Sequence, residues 1–507
     1  MIGLNALVAI LPLAFGASLY FIVRRIMSVK HDVAAFVICG YIGLLSVNGL
    51  AAVATYVGIV IDGFDLISVF ILGTAALWGM ELNVRRRFLG PYVSPRLLGS
   101  SGTAQTWTSR AMVVIGAALS LLYLAFSLFI VSLAPISAWD VLGAWSFQAT
   151  QFIEQGLVSG TITNYGSGNH PATATSYLGW SAWAASLGRA DHGGLLNWLL
   201  AALMLSMAIA QILRDTFGRS VYLLCPLFVL CAPLLENHVG LAGYSEIWLT
   251  LVATCAVILI AESVETGNSG TLLFGISCAA LVIFTRKTGI ANLVCILLAL
   301  LCAKTLFHLS PLKRILLLGS LIGAITILIV FGFSTTILGR DLIWTPADMT
   351  LQFAGRTISI ALYPIDAVIK NEIVSKFSNL SFGIYFIAII ASSLSLLMEG
   401  YKSSLSGRHK TAAAALFLVL NFYGYWAVLF LSQLLSADGF SAAIPGNDTG
   451  NSRFSLPLVG SGLVIISWAL RLISVPHHQR TRHSNRDIEG PVLLDTKNEN
   501  NEQWHDD

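Results

Sequence analysis

The chain has 507 residues and a net charge of +3 at pH 7, and 56% of its residues are hydrophobic while only 11% are charged. Soluble globular domains carry about 25% charged residues, so this composition excludes an ordinary soluble protein. The small net charge gives no indication of a nucleic-acid partner, and the mean hydropathy of +0.77 indicates a chain that lies mostly within a membrane.

Apolar runs recur along the chain at the length that crosses a bilayer as a helix, about 17–25 residues. We count about thirteen such runs, which predicts an all-α fold: a polytopic membrane protein with about thirteen transmembrane helices. The predicted spans are residues 4–23, 33–60, 64–82, 111–133, 195–213, 220–235, 246–262, 271–285, 289–307, 314–333, 381–399, 411–435 and 454–474.

Basic residues predict the orientation of these spans, because Lys and Arg stay mainly on the cytoplasmic side. If the N-terminus is outside, the cytoplasmic segments hold 21 of the 29 Lys and Arg residues. This bias predicts an outer N-terminus and a cytoplasmic C-terminus. The cytoplasmic segments are then residues 24–32, 83–110, 214–219, 263–270, 304–314, 400–410 and those after 470.

The first of three long outer loops has the pattern of interfacial helices. Apolar residues recur at helical spacing from Trp139 to Gly156, Trp139 and Trp145 suit the membrane surface, and Pro171 begins a second such stretch. Polar, mixed-charge residues predict a disordered tail. The predicted divisions are a three-span extension (1–110), a main membrane domain (111–474) with outer loops 134–194, 334–380 and 436–453, and a cytoplasmic tail (475–507).

An acid, Asp140, lies between Trp139 and Trp145 in the first outer loop. Ser137 and Asp140 fit the S-x-x-D pattern of a capping box, in which the acid completes the start of a helix. A carboxylate in an aromatic cleft at the membrane surface is also a candidate general base. The two interpretations are compatible, and the sequence leaves both open.

Further polar residues fall in predicted outer segments. His170, in the sequence GNHPATATS, either caps the helix that begins at Pro171 or contributes to a site. Glu236, His238 and Glu246 lie in one short turn between two spans. Two acids and a histidine in so short a turn favour a binding or catalytic site, although a single acid at the end of a span is usually a solvated boundary residue.

Four cationic residues on the predicted outer side are candidate ligands for an anion. Arg286 and Lys287 follow a span in the sequence IFTRKTGI, and Arg453 precedes the last span in GNSRFSLPL. Arg356 lies in the second outer loop. Each side chain either snorkels to lipid headgroups or binds an anionic substrate.

Acids and cations from separate stretches are thus predicted to lie on one membrane face, which suits chemistry on a lipid-linked phosphate. The spans have no Asp, Glu, Lys or Arg at the midplane, where ion-coupled transport would favour them. No pair of cysteines has the spacing of a zinc site. We therefore expect an enzyme that requires no cofactor, while the acids would also accommodate a divalent ion.

The order of these motifs resembles the GT-C fold glycosyltransferases, which include the protein mannosyltransferases and the enzyme that adds aminoarabinose to lipid A. The similarity extends over roughly residues 111–474. It consists of WD near the start of the first outer loop, HP before a helix, the Gly-Tyr-acid turn in LAGYSEIWLTL, TRKTGI after a span and NSRFSLPL before the last helix.

The resemblance implies transfer of a sugar, with inversion, from a polyprenyl-phosphate donor to a glycan, lipid or protein acceptor outside the cytoplasm. It implies Asp140 as the base, Glu246 as a second acid, and Lys287 and Arg453 as donor phosphate contacts. The expected location is the bacterial cytoplasmic membrane, with the active site on the outer face and membrane lipids as further partners. Additional phosphate contacts are expected from Arg286 and Arg356, and substrate contacts from His170, Trp139, Trp145, Glu236 and His238.

Two alternatives share some of these features. An O-antigen polymerase or ligase would also use arginines on the outer face to bind lipid-linked glycans, but it would not need an acid in the first loop. A transporter or flippase of lipid-linked glycans would bind the same lipid and form no bond. An assay with a radiolabelled polyprenyl-phosphate sugar separates these classes, because only an enzyme turns the donor over.

Overall fold

The structure of the protein is a computed structural model, and the part of the chain that it describes consists of helices and one small sheet. The described residues are 2–26, 32–57, 63–88, 107–133, 190–218, 220–232, 246–285, 289–308, 333–337, 340–353, 356–359, 364–374, 377, 380–435 and 448–474. The bounds of helices and strands given below refer to these residues alone.

Thirteen α-helices occur within these ranges, and most are long and apolar, because a backbone inside a membrane must satisfy its hydrogen bonds internally. They are α1 (Ile2–Ile26), α2 (Asp32–Val57), α3 (Gly63–Phe88), α4 (Trp107–Leu133), α5 (Ala190–Phe217), α6 (Val221–Leu230), α7 (Glu246–Thr266), α8 (Ser269–Thr285), α9 (Gly289–His308), α10 (Ile365–Ile369), α11 (Leu380–Leu405), α12 (His409–Leu435) and α13 (Asp448–Ser474).

Twelve of the predicted spans coincide with one of these helices. The remaining span, 314–333, lies outside the described residues except for Phe333. Five helices are long and apolar enough over their described lengths to cross a membrane, namely α7, α9, α11, α12 and α13, and six shorter apolar helical stretches accompany them. The chain is therefore a helical protein that is embedded in a membrane.

Helix α7 lies at the centre of the bundle. Every residue from Glu246 to Val264 is buried, and α7 packs against α2, α5, α8, α12 and α13. A helix that is apolar on all sides is expected to be buried on all sides. The nearly unbroken apolar run between its two acidic ends explains this central position.

Helices α7 and α13 run parallel in a fixed register. Gly460 lies against Thr254 so closely that an added Cβ would overlap Oγ1 of Thr254. Eleven residues further along each helix, Arg471 donates a 2.7 Å hydrogen bond to Glu265, a residue 206 positions earlier in the chain. Gly460 likewise comes 206 positions after Thr254, so the two helices run side by side in the same direction. The glycine allows the close approach that is common between membrane helices.

The bundle has two ends, which we name after residues that lie there. The Arg471 end contains the Arg471–Glu265 pair and a 3.4 Å hydrogen bond from Nζ of Lys410 to the carbonyl oxygen of Thr266. Three segments predicted to be cytoplasmic, 263–270, 400–410 and the chain after 470, thus contribute to one end. At the opposite end, the Glu246 end, α7, α11 and α13 begin while α8 and α12 finish.

The N-terminal helices join the main bundle through α2. Helix α1 packs on α2 and α3, and α2 packs on α5 and α7. The contact between α1 and α2 is so close that a Cβ added to Gly43 would overlap the carbonyl oxygen of Pro12. Oε1 of Gln211 accepts backbone hydrogen bonds of 3.1 Å from Val33 and 2.9 Å from Ala34, which joins the end of α5 to the start of α2.

An antiparallel sheet follows in the second predicted outer loop. Its strands are arranged in chain order: β1 (Phe333–Ile337), β2 (Arg340–Thr345), β3 (Thr350–Phe353) and β4 (Arg356–Ser359). A short 3₁₀ turn, Pro346–Asp348, and Met349 in a left-handed conformation (φ 49°) connect β2 to β3. Trp344 in β2 pairs with Phe333 on one side and Leu351 on the other.

The structure corrects two predictions in these outer segments. The all-α prediction is wrong for residues 333–359, because short segments rich in Thr, Ile and aromatic residues there form four paired strands. The third outer loop was predicted to extend to residue 453, but α13 already begins at Asp448. The predicted interfacial helices of the first outer loop and the predicted disordered tail lie outside the described residues.

Candidate functional site

Glu246 is the first residue of α7, and only 1% of its surface is exposed. A carboxylate buried this deeply needs hydrogen bonds or a cation, and Glu246 makes a polar interaction of its own. The partial positive charge at a helix N-terminus also favours an anion in this position. The predicted second acid is therefore an interior group at the Glu246 end, where a helix start already stabilises negative charge.

The backbone of Arg453 lies level with Glu246 on the neighbouring helix. Arg453 precedes Gly460 by seven residues, and Glu246 precedes Thr254 by eight, while Gly460 and Thr254 are in contact. At a rise of about 1.5 Å per residue, the two positions lie about 10 and 12 Å beyond that contact. Two residues predicted from separate motifs are thus brought to one height at the Glu246 end by the parallel packing of α7 and α13.

Pro457 changes the backbone of α13 next to Arg453. Proline has no backbone N–H, so the carbonyl oxygen of Arg453 does not receive the hydrogen bond that a helix would otherwise supply from residue 457. The carbonyl of Pro457 itself accepts a 3.1 Å hydrogen bond from the hydroxyl of Ser461. The second turn of α13 therefore offers a backbone acceptor, the carbonyl oxygen of Arg453, at the level of Glu246.

Tyr41 connects the N-terminal helices to this end of the bundle. Its ring stacks on Trp248, with the ring centroids 5.3 Å apart, and its hydroxyl lies 2.7 Å from Oγ1 of Thr285. All three residues are buried. Since Thr285 is the last residue of α8, this contact fixes the point from which the chain continues into the predicted phosphate-binding motif.

The start of α9 is fixed equally closely. A Cβ added to Gly289 would overlap the carbonyl oxygen of Val282 and would lie 3.1 Å from Cδ1 of Leu249. Gly289 therefore packs against both α8 and α7. Residues 286–288, which include Arg286 and Lys287, join Thr285 to Gly289 in the sequence and lie outside the described residues.

Sequence reasoning missed Asn292, one turn into α9. Its side chain is buried, and Nδ2 has no hydrogen-bond partner among the described residues. Buried amides in proteins are normally hydrogen-bonded, so this donor is available to a bound group. The sequence does contain a signal for this residue, because Asn292 is the one amide side chain in a mostly apolar span. A polar side chain inside a membrane raises the free energy of the protein and usually has a functional role.

An aromatic cluster adjoins the first turns of α13 and was also missed. Phe386 lies at its centre, 5.2 Å from Trp426 and 5.7 Å from Phe377 between ring centroids, and Tyr385 donates a 2.6 Å hydrogen bond to the carbonyl oxygen of Val459. A small apolar pocket opens beside this cluster. It is lined by Phe382, Tyr385, Phe386, Phe422, Ser455 and Val459, among other residues.

The structure describes only part of the predicted site. Glu246 is described in full, whereas Arg453 and Arg356 are described in their backbones alone. Arg356 begins β4, and among the described elements no helix packs extensively against the sheet, so no such packing joins Arg356 to Glu246 or Arg453. The predicted site residues outside the described ranges are Trp139, Asp140, Trp145, His170, Glu236, His238, Arg286 and Lys287.

The Glu246 end thus combines a buried acid, a backbone position for a cation at the same level, an available amide donor and an apolar pocket. Such a combination places polar groups able to bind an anion beside apolar surface of the bundle. Comparisons of the chain with protein-family models, with curated proteins and with solved structures find no match.

Proposed function

We propose that the chain is a glycosyltransferase of the GT-C type, which transfers a sugar from a polyprenyl-phosphate donor at the Glu246 end of the bundle. The observation that carries the proposal is the common level of Glu246 and Arg453 on two helices in fixed register. The basic residues assign the Arg471 end to the cytoplasm, so the site faces outward, toward a glycan, lipid or protein acceptor.

The reaction makes two chemical demands that the sequence motifs meet. A sugar hydroxyl is a poor nucleophile, so Asp140 takes its proton while its oxygen bonds to the anomeric carbon of the donor. The bond from the anomeric carbon to the phosphate oxygen breaks at the same time, and the polyprenyl phosphate leaves with the electron pair. Lys287, Arg286 and Arg453 stabilise the negative charge that grows on this phosphate.

Glu246 has a different role from Asp140 in this proposal. Because its side chain is buried, it is better placed to hold a neighbouring cation in position than to reach an acceptor that arrives from water. A buried carboxylate beside a cation lowers the cost of keeping that cation in an apolar bundle. The small apolar pocket beside Ser455, two residues after Arg453, shows that the bundle surface next to this position is apolar, which favours a lipid-linked donor over a water-soluble one.

The proposal is tested by assaying purified protein in liposomes. Lipid-linked sugars are first compared between cells that contain and lack the gene, which identifies the donor that accumulates in its absence. The radiolabelled form of that polyprenyl-phosphate sugar is then supplied, and transfer of label to acceptor with release of polyprenyl phosphate is measured. Binding or translocation of the labelled donor with no release of polyprenyl phosphate would overturn the proposal and support a flippase.

A further inference from the structure

The sheet between residues 333 and 359 has two chemically different faces. Successive residues of a strand lie on opposite faces, and paired residues on neighbouring strands share a face. The observed register therefore groups the apolar residues of all four strands on one face. These residues are Phe333, Ile337, Leu342, Trp344, Leu351, Phe353 and Ile358.

The opposite face of the sheet is polar. It carries Ser334, Gln352 and Thr357, whose side chains are exposed, and further Thr and Ser residues at the alternating positions. Ile343, which is half-buried, is the one large apolar residue that the register places there. The sheet is therefore amphipathic, with its apolar residues concentrated on the other side.

Two arginines occupy one end of the apolar face. Arg340 begins β2, opposite Ile337, and Arg356 begins β4, opposite Phe353. Each arginine comes directly after the two residues that connect one strand to the next in the sequence, so the register places both at the same end of the sheet. An apolar face with positive charge at one end matches a lipid surface, which presents acyl chains beside anionic phosphates.

The helical segment that follows the sheet continues this pattern. Ile365, Ile369 and Ile373 recur every four residues across α10 and the π-helical turn after it (Lys370–Val374), and all three are exposed, Ile365 by 57%. Val368 is completely buried, and α10 packs on α12. This segment is thus fixed to the bundle on one side and presents an apolar stripe on the other.

Chain connections hold the sheet close to the bilayer. The apolar run 314–332 leads directly into β1, and the segment after β4 leads into α11, one of the helices able to cross a membrane. Four residues lie between Ser359 and Pro364, so their Cα atoms are at most about 18 Å apart even in an extended chain. Since α10 lies against the bundle, the sheet cannot move far from it.

We infer that residues 333–374 form a platform that lies on the membrane surface at the Glu246 end and binds anionic lipid headgroups. The apolar face of the sheet and the isoleucine stripe of α10 rest on the acyl region of the bilayer, while Arg340 and Arg356 contact lipid phosphates. Arginine suits this position because its long stem is apolar and its guanidinium binds a phosphate through two hydrogen bonds. The inference does not rest on the proposed transfer reaction.

Spin labels test the orientation of the platform in the full-length protein. Single cysteines replace Leu351, Gln352, Phe353 and Ile369 in a variant without native cysteines, reconstituted in phospholipid nanodiscs that contain no polyprenyl lipid. Labels at 351, 353 and 369 should collide at least five-fold more with oxygen than with a water-soluble nickel chelate, and the label at 352 should show the reverse. Low collision with both reagents at 351 and 353 would show that protein covers the apolar face of the sheet. Frequent collision with the nickel chelate at these positions would show that this face is in water. Either result would overturn the inference.

Lipid charge tests the role of the two arginines. The label at residue 353 should lie deeper in nanodiscs that contain phosphatidylglycerol than in pure phosphatidylcholine, and the combined Arg340→Gln and Arg356→Gln variant should lose this difference. Arg408→Gln, which changes a half-buried residue at the Arg471 end, is the matched control and should keep this difference. A label depth that is independent of lipid charge in the parent protein, or a difference that survives in the double variant, would contradict the assignment of lipid phosphates to Arg340 and Arg356.

Discussion

Arg471 and Glu265 fasten α13 to α7 at one end of the bundle. Nη2 of Arg471 lies 2.7 Å from Oε2 of Glu265, and the two side chains are only 23% and 16% exposed. The guanidinium also lies 4.7 Å from the centroid of the Trp468 ring. Because α7 and α13 run parallel, this pair helps to set the level of Arg453 against Glu246, about 27 Å away along the helix axis.

Arg471→Gln should lower the free energy of unfolding by about 1–3 kcal/mol, since it leaves a partly buried carboxylate without its cation. The free energy of unfolding of Arg471→Lys should lie between those of Arg471→Gln and the parent. An ammonium group keeps the charge, but it lacks the planar guanidinium that forms two hydrogen bonds and stacks on Trp468. The measurement is thermal unfolding of the purified protein in detergent.

The matched control for this pair is Lys402→Gln, which breaks the 3.0 Å ion pair with Glu399. Lys402 is 56% exposed, and exposed ion pairs contribute about 0–1 kcal/mol. The unfolding temperature of the Lys402→Gln variant should therefore stay close to that of the parent. Equal losses for Arg471→Gln and Lys402→Gln would show that the Arg471–Glu265 pair does not stabilise the interface.

Gly460→Ala should destabilise the protein by about 1–3 kcal/mol, the usual effect of an extra methyl group in a packed interior. The new Cβ would overlap Oγ1 of Thr254 and lie 2.9 Å from Cγ2 of Thr250, so α7 and α13 must separate. Gly424→Ala is the control, because nothing lies within 4 Å of the added Cβ there. That variant should be neutral or more stable, since alanine favours a helix over glycine by about 1 kcal/mol.

A second substitution checks the cause of the Gly460→Ala effect. Thr254→Ala removes the Oγ1 atom that the new methyl group meets, so the double variant should recover part of the lost stability. Thermal unfolding of the two single variants and the double variant gives the coupling. Strictly additive effects would place the clash elsewhere and would weaken the register from which the level of Arg453 is derived.

The helices could be predicted from the sequence, but their packing could not. Apolar runs such as the one in α7 must form helices, because a membrane leaves the backbone no other partners. Because α7 is apolar on all sides, its sequence is easily identified as a span. The same composition does not indicate which side of α7 packs against which neighbouring helix. The contact of Gly460 with Thr254 depends on the shapes of two helices, and one sequence does not reveal such a pair.

The sheet, by contrast, has a signal that was available and was missed. In β3 the sequence TLQF alternates polar and apolar residues, and Gly339 and Gly355 fall in the two-residue connections between paired strands, the pattern expected of hairpins. The strong membrane signal in the rest of the chain favoured a helical interpretation of every segment. At the site, the motif around Glu246 was identified from its charges, whereas Asn292 and Tyr41 gain their importance only from burial and contacts.

Reporter fusions should confirm the orientation predicted by the basic residues. A fusion after residue 475 should be cytoplasmic, and an insertion near Gly446 should be outside, because 21 of the 29 Lys and Arg residues lie on the predicted inner side. Alkaline phosphatase, which is active only outside, and a fluorescent protein that matures only inside give opposite signals. The reverse pattern at both positions would place the Glu246 end in the cytoplasm and would contradict an outward-facing active site.

Arg453→Ala and Lys287→Ala should each weaken use of the donor by about 1.5–3 kcal/mol in kcat/KM, the range for hydrogen bonds to charged groups. Arg453→Lys should recover only part of the loss, because an ammonium cannot form the two parallel hydrogen bonds of a guanidinium. Lys370→Ala, at an exposed cation on the predicted outer side, is the control and should behave as the parent. Unchanged donor kinetics in both alanine variants would remove Arg453 and Lys287 from the phosphate site.

Substitutions at Asp140 separate its two sequence interpretations. If Asp140 is the general base, Asp140→Asn should reduce turnover by about 100- to 10,000-fold with no change in unfolding temperature, and Asp140→Glu should keep partial activity at best. If it only caps a helix, asparagine should replace it with little loss, because asparagine is as good a cap as aspartate. Ser137→Ala removes the other half of the capping box, so it should lower stability by about 0.5–2 kcal/mol while turnover stays near that of the parent.

Glu246→Gln completes this comparison, because it removes a charge from the interior and keeps the shape. If Glu246 holds the cations of the donor site, the variant should bind donor more weakly, with a raised KM that depends on salt, while proton transfer by Asp140 continues and kcat falls less than in Asp140→Asn. If Glu246 were itself the base, kcat would fall by about 100-fold or more and the KM would change little. A fully active Asp140→Asn enzyme together with an inactive, correctly folded Glu246→Gln enzyme would transfer the role of base to Glu246, and the burial of that residue would then require an acceptor that enters the bundle.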